Sequence, residues 1–456
     1  MTFTVRSFMS LATAGVAVAS LGAAPPAGGP LTLAVPGRAN AHVSIAARDA
    51  LVVAAWGASR DGAADVYAAV SRDGGRSFGA PVRVNATPGE AAVGGERAPR
   101  VAIALRETGP VVGVLWTAKA PAASATAPAD APKPGPVIRL AESTDAGRTF
   151  AAPIDLSGRN VPGIRGWGAL AAGTDGAWYA AWLDGRAEVA KRAATPAPAA
   201  TGAAAPGASA GAGGHHHHGG STAGGPLQEV FYRVVGGPAA PATEALAATG
   251  VCFCCKTAIL GPGVAAAGRL GARDMVLAWR HIFPGSERDI AMSVLDPASA
   301  RPGRMIRVSQ DQWRIQACPD DGPGLAASGS GTVHVVWPTL ADKARPDAGP
   351  EKAIYHARTT DGRTFTPRRR LDRPGSGAAH PVVAALPSGS GAMALWDEVA
   401  DGVRRVVAQP VREPAEPHVL GPGTYPAVAA LDDGFVVAWT AGSGDAAVIR
   451  VQRLTP

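Results

Sequence analysis

Four cysteines carry the densest chemistry in this chain of 456 residues. Three fall within four positions, Cys252-Phe253-Cys254-Cys255, and the fourth, Cys318, stands in the segment Ala-Cys-Pro-Asp-Asp-Gly that also holds Asp320 and Asp321. Thiolates are soft ligands that suit Cu(I) or Zn(II), whereas the same residues in an oxidising compartment form disulfides. Cys318 can bridge only one partner, so the two remaining thiols must form a strained close-range bond or stay free. Disulfide staples, a thiolate metal site holding copper or zinc, and a redox disulfide are three readings of this spacing. His281 is a candidate neighbouring ligand. A separate tract, His215 to His218 between glycines, is a flexible segment able to collect Cu(II), Ni(II) or Zn(II) without fixed geometry.

Arginines form the second constellation. Arg97 and Arg100 follow Glu96, Arg165 precedes Trp167, Asp184 and Arg186 share Trp-Leu-Asp-Gly-Arg, and Arg280 opens Arg-His-Ile-Phe-Pro. Converging guanidinium forks suit a carboxylate or another anion, so the candidate ligand set is Arg97, Arg100, Arg165, Asp184, Arg186, Arg280, Asp320 and Asp321. The partner this implies is an anionic small molecule or glycan, or else a metal ion. Arg288, Asp289, Trp313, His380, Asp397 and Glu398 are further polar or aromatic residues of the same segments.

The elements that position these residues are strands. Gly and Pro make up about one residue in five, which excludes long helices, and only 5% of the chain is aromatic. A Val, Ala and Leu-rich strand ending in Trp recurs seven times, at Trp56, Trp116, Trp182, Trp279, Trp337, Trp396 and Trp439. A short apolar strand precedes most of these, an alternating strand follows, and a fourth shorter strand often closes the unit. Four antiparallel strands repeated in this way make an all-β propeller, expected as one domain over residues 31–455. Seven blades are favoured over six, with Leu31 to Val35 supplying the missing outer strand of the last unit. Two Ala, Pro and Gly-rich stretches, 118–136 and 191–225, interrupt the repeat as low-complexity insertions between second and third strands.

The turn between third and fourth strands carries the most specific motif. Ser71-x-Asp73-x-Gly75-x-Ser77-Phe78 and Ser143-x-Asp145-x-Gly147-x-Thr149-Phe150 share one pattern, and Asp361-Gly362-x-Thr364-Phe365 is a copy one residue shorter. The Asp accepts turn N–H groups, the Gly takes positive φ and the Phe tucks the turn against neighbouring sheets. These turns resemble the Asp-boxes of the sialidase (BNR-repeat) superfamily. In a four-stranded blade such turns lie on the face opposite the second-to-third turns and the blade connections, so the cysteines, the arginines and both insertions share the other face. The resemblance implies an exo-sialidase: three arginines on the sugar carboxylate, a Tyr activated by a Glu, and an Asp as acid/base. This sequence departs from that set. No Arg-Ile-Pro motif stands near the first blade, and of five Tyr only Tyr425 reaches the functional face, at a place equivalent to His380. A non-classical member that binds a ligand or metal is therefore the leading expectation, with a glycoside hydrolase or a protein-interaction scaffold as alternatives.

Residues 1–24 carry one cation, Arg6, an apolar run from Phe8 to Leu21 and small residues, the order of a Sec-type export signal. A secreted or periplasmic monomer is expected. Its net charge of +7 is spread along the chain, which argues against nucleic acid, and no later run reaches the length of a membrane span.

Overall fold

The computed structural model describes residues 29–122, 132–194, 228–237, 243–299, 301–315, 319–340, 351–389, 391–412 and 415–455. The strands assemble into seven antiparallel sheets of four. Blade 1 comprises Ala39–Arg48, Leu51–Arg60, Ala63–Ser71 and Val82–Arg83, and blade 2 comprises Arg100–Arg106, Gly109–Ala118, Val137–Ser143 and Ile154–Asp155. Blade 3 runs through Arg165–Ala172, Trp178–Asp184, Gln228–Val235 and Ala245–Val251, and blade 4 through Ala258–Leu260, Met275–Arg280, Ile290–Leu295 and Arg304–Arg307. Blade 5 is Gly324–Ala327, Val333–Leu340, Lys352–Thr359 and Arg369–Arg370, and blade 6 is Ala379–Ala385, Ala392–Ala400, Val403–Pro410 and His418–Pro422. Blade 7 has Thr424–Leu431, Gly434–Ala441 and Val448–Leu454, and its outer strand is Leu31–Leu33, paired antiparallel with Val448–Leu454. That pairing joins the two ends of the ring, as the sequence suggests. Each first strand touches the first strand of the next blade, and the contact of blade 7 with blade 1 completes the circle.

The seven repeat tryptophans are each at most 1% exposed and sit in the apolar layers between blades. Burying so large a ring demands a partner for its indole N–H, and in three blades the partner is the residue two positions on. Trp182 donates to Asp184, Trp279 to His281 Nδ1 and Trp396 to Glu398. Asp184 and His281 therefore have a repeat-level duty.

The Asp-boxes form as expected. Asp145 Oδ1 accepts the N–H groups of Arg148 and Thr149, both at 2.9 Å, Ser143 Oγ accepts from Gly147, and Gly147 adopts φ +85°. Phe78, Phe150 and Phe365 each pack on the apolar layer shared with the preceding blade. One element departs from the expected low-complexity insertion: Arg186–Ala194 is an α-helix. Its Ala, Glu, Lys and Arg residues favour helix, Asp184 caps the Arg186 N–H at 3.0 Å, and Glu188 pairs with Arg192 one turn on. His215 to His218, Cys318 and residues 1–28 lie outside the described residues.

Candidate functional site

The first strands of blades 1, 3, 6 and 7 begin with the same irregularity. Their pairing slips between Ala41 and Ser44, Gly166 and Ala169, Ala379 and Val382, and Thr424 and Ala427. Inside each bulge one residue takes a left-handed conformation: His42 at φ +59°, Trp167 at +53°, His380 at +56° and Tyr425 at +52°. Asp320, just before blade 5, joins them at +46°. A side chain in this region costs about 1–2 kcal/mol, so each must be held by its surroundings. The bulges turn rings toward one another: His380 and Tyr425 stand 4.0 Å apart between centroids, His42 and Tyr425 5.1 Å.

In three of the four bulges the freed N–H group is met by the neighbouring blade. Asp321 accepts from His380 N at 3.1 Å, Asp397 from Tyr425 N at 2.9 Å, and Thr440 from His42 N at 3.0 Å. Glu96 carries the belt onward, its carboxylate accepting from Lys256 N and Nζ, both at 2.7 Å, and from Gly322 N at 3.0 Å. The sequence reading placed Asp320 and Asp321 together as ligand candidates, but the structure gives them separate surroundings. Asp321 is buried in this belt, while Asp320 is exposed. A methyl group placed on Gly95 would lie 3.3 Å from Asp320 Oδ2 and 3.7 Å from the Tyr425 hydroxyl, so both address one point of the mouth.

Electrostatics separates these groups. Although its side chain is exposed, partial desolvation by the mouth around it raises the Asp320 carboxyl, with Glu96 adding to the effect. Burial also pushes the Tyr425 hydroxyl upward, as do Asp320 and Glu96, and no hydrogen bond to it forms among the described residues. Burial opposes a proton on His380, but the 2.7 Å bond to Asp397 and the nearby Asp321 carboxylate overcome it, so this imidazole lies above its ordinary value. His42 is held down to about 4, chiefly by burial, and its Nδ1 is a buried atom with no hydrogen-bond partner.

Among the five candidate arginines, four are committed to the protein. Arg165 binds Asp184 at 2.8 Å and the carbonyls of Pro136, Val161 and Pro162. Arg186 spans Asp184 and Glu244, each at 2.6 Å. Arg280 donates to the carbonyls of Asp321, Arg288 and Pro338. Arg100 donates to Gly168 O and Glu96 O, both at 3.0 Å. Arg97 differs. Its guanidinium lies 5.2 Å from the centroid of the Trp167 ring and has no acceptor among the described residues.

Beside the belt, the loop that enters blade 4 brings Cys252, Cys254 and Cys255 together with all three sulfurs within 4.8 Å of one another. Cys255 Sγ lies 3.9 Å from both other sulfurs, and Arg288 reaches Cys252 Sγ at 3.3 Å. The hydrogen bond from Cys255 and the two nearby arginines lower the Cys252 thiol, while burial and its neighbour's charge raise Cys255. Cys252 and Cys255 are free thiols; Cys254 is not. Three such sulfurs could hold a metal ion, and His281 is not part of that group.

The mouth residues His42, His380 and Tyr425 were weak in the sequence. His380-Pro and Tyr425-Pro look there like a repeat feature, which they are, but the bulge that aims their rings has no local signature.

Seven four-stranded antiparallel sheets closed in a ring, with Asp-box-type turns between third and fourth strands, make this a seven-bladed β-propeller. No protein-family model and no curated protein matches the chain. Among solved structures, it is similar to a Penicillium chrysogenum alpha-L-arabinanase complexed with arabinobiose, at TM-score 0.44 and 12% identity over 93% of this chain and 98% of that one. It is also similar to a Dyadobacter fermentans protein of unknown function, at TM-score 0.45 and 11% identity over 93% and 98%. A Trypanosoma rangeli sialidase aligns at TM-score 0.42 and 11% identity over 91% of this chain and 55% of the sialidase. Identity this low speaks to fold alone.

Proposed function

We propose that this is an exported propeller whose mouth binds an anionic saccharide through its carboxylate. The observation that carries this reading is Arg97, a guanidinium stacked on Trp167 at the mouth without an acceptor among the described residues. His380, which holds a proton more readily than an ordinary histidine, adds a second positive group, and the rings of Trp167 and Tyr425 offer apolar faces to a sugar. Calorimetric titration with N-acetylneuraminate, glucuronate and galacturonate tests it. A charge-assisted bond contributes about 1.5–3 kcal/mol, so Arg97→Ala should weaken binding about 10-fold or more. Affinity unchanged in Arg97→Ala, or no binding by any of the three, would remove the proposal. Export would use residues 1–24 as the signal, with the propeller domain over 31–455, and mass analysis of the mature chain would show the cut after Ala19 or Ala24.

Hydrolysis is less well supported. Tyr425 and Asp320 address one point, as a nucleophile and an acid would, yet no carboxylate accepts the Tyr425 hydroxyl to activate it. Fluorogenic α-sialosides should therefore release no product.

A second reading, favoured by the three clustered sulfurs, is a soft metal such as Cu(I) or Zn(II) held by Cys252, Cys254 and Cys255 when all are reduced. In the oxidised protein Cys254 would pair with Cys318, supported by Cys252 and Cys255 being the free thiols among the described cysteines. Reduced protein should then take up one equivalent of metal, and oxidised protein none.

A further inference from the structure

The seam between blades 5 and 6 opens on the Asp-box face into a groove of about 480 Å³. Elsewhere on this face, three seams are closed by the Asp-box phenylalanines Phe78, Phe150 and Phe365, each lying over the blade before its own. Blade 6 has no Asp-box: its third strand runs into Val411 and Arg412 without the Ser/Thr-x-Asp pattern. At this height it offers Gly389, Gly391 and Ala392 to its neighbour, too little volume to fill the gap. The groove is thus where a Phe plug is missing.

Polar groups line it instead. Register pairs His334 with Arg358, Val336 with His356, and His356 with Arg369, which puts all of them on the sheet face turned toward blade 6. Val336 and Ile354 of that same face pack in the apolar layer between the two blades, so His334 and His356 interrupt a hydrophobic surface. Their rings stack at 5.3 Å with Nδ1 of one 3.1 Å from Nε2 of the other, and both residues are less than a tenth exposed. Arg358 and Arg369 from blade 5 and Arg412 from blade 6 reach the rim, the Ser330 hydroxyl lies beside them, and the lining contains no carboxylate. Arg358 and Arg412 have no side-chain acceptor among the described residues. Burial keeps the imidazoles neutral, holding His334 to about 4 and His356 to about 3, so they supply polar atoms and the arginines supply the charge.

We propose that this groove is a second binding site, on the face opposite the mouth, for a tetrahedral oxyanion of the sulfate or phosphate type. The guanidinium groups of Arg358 and Arg412, the Ser330 hydroxyl and an imidazole nitrogen form a donor-rich wall whose described lining holds no acid, which is what such an anion needs. A sulfated saccharide and a phosphate ester share this chemistry, and inorganic sulfate and inorganic phosphate serve as probes for the two.

The test is calorimetric titration of the whole protein with each probe, together with NMR of the histidine ring resonances. Saturable binding of one equivalent is expected, with shifts at His334 and His356 and none at His380. The double variant Arg358→Ala/Arg412→Ala removes two exposed side chains and should fold with an unchanged melting point. Its affinity should fall at least about tenfold. Arg97→Ala should bind the probes as well as the parent does, which separates this site from the mouth. Absence of saturable binding would overturn the proposal. So would binding that survives the double variant, or binding that is lost with Arg97 instead.

Discussion

Removing the Glu96 carboxylate tests whether the belt around the mouth holds the ring together. Glu96 is 3% exposed and joins the connection into blade 2 to those into blades 4 and 5, through Lys256 and Gly322. Glu96→Ala leaves the 7%-exposed Lys256 without its counter-ion and strands two backbone N–H groups. Breaking a buried pair by deleting one partner costs about 3–5 kcal/mol. Unfolding entropy of about 2.1 cal/mol/K per residue gives roughly 0.76 kcal/mol/K for the about 360 described residues, so the melting point should fall by about 4–7 °C. Lys256→Met in the Glu96→Ala background removes the orphaned charge and should recover at least about 2 kcal/mol, measured as the coupling in a double-mutant cycle by scanning calorimetry. Burial alone would raise the Glu96 carboxyl, but Lys256 and His380 hold it down to about 2. Its contribution is therefore full above the ordinary carboxylate range and is lost as pH falls toward 2, so the difference between parent and variant should shrink in acid. A Glu96→Ala melting point within about 1 °C of the parent, or additive losses in the double variant, would refute the reasoning.

At the Asp-box of blade 2, Gly147→Ala places a methyl 2.5 Å from Val70 Cγ2 at φ +85° and should cost about 2 kcal/mol in thermal melts; an unchanged midpoint would show that the turn relaxes freely. Because the folded-state value of His380 is raised, its proton is present at low pH and lost as pH climbs through that value, so affinity for an acidic saccharide should weaken as pH rises beyond the ordinary histidine range. His380→Gln should flatten that profile. Thiol counting in denaturant should give two free thiols before reduction, from Cys252 and Cys255, and four after it; four before reduction would exclude the Cys254–Cys318 pairing.

Much of the architecture was legible because a propeller repeats. Seven Trp strands mark seven second strands, and the Asp-box pattern is a local turn whose hydrogen bonds span four residues, so both survive in one dimension. The closing strand Leu31–Leu33 was legible because blade 7 lacks a fourth strand of its own. The candidate residues were harder. Arg165 and Arg280 look like free ligand groups in sequence, yet their carbonyl acceptors come from other blades or distant loops.

Sequence by itself determined the all-β class and the Asp-box turns and favoured seven blades over six, since each follows from local patterning or from strand order. Tertiary structure decided which charged groups are already satisfied and which face the mouth. It left Arg97 without an acceptor among the described residues, gathered three sulfurs, turned His42, His380 and Tyr425 inward, and opened the seam beside His334 and His356. The physical reason is that saturation of a hydrogen-bonding group depends on partners tens or hundreds of residues away, and only ring closure brings those partners into contact.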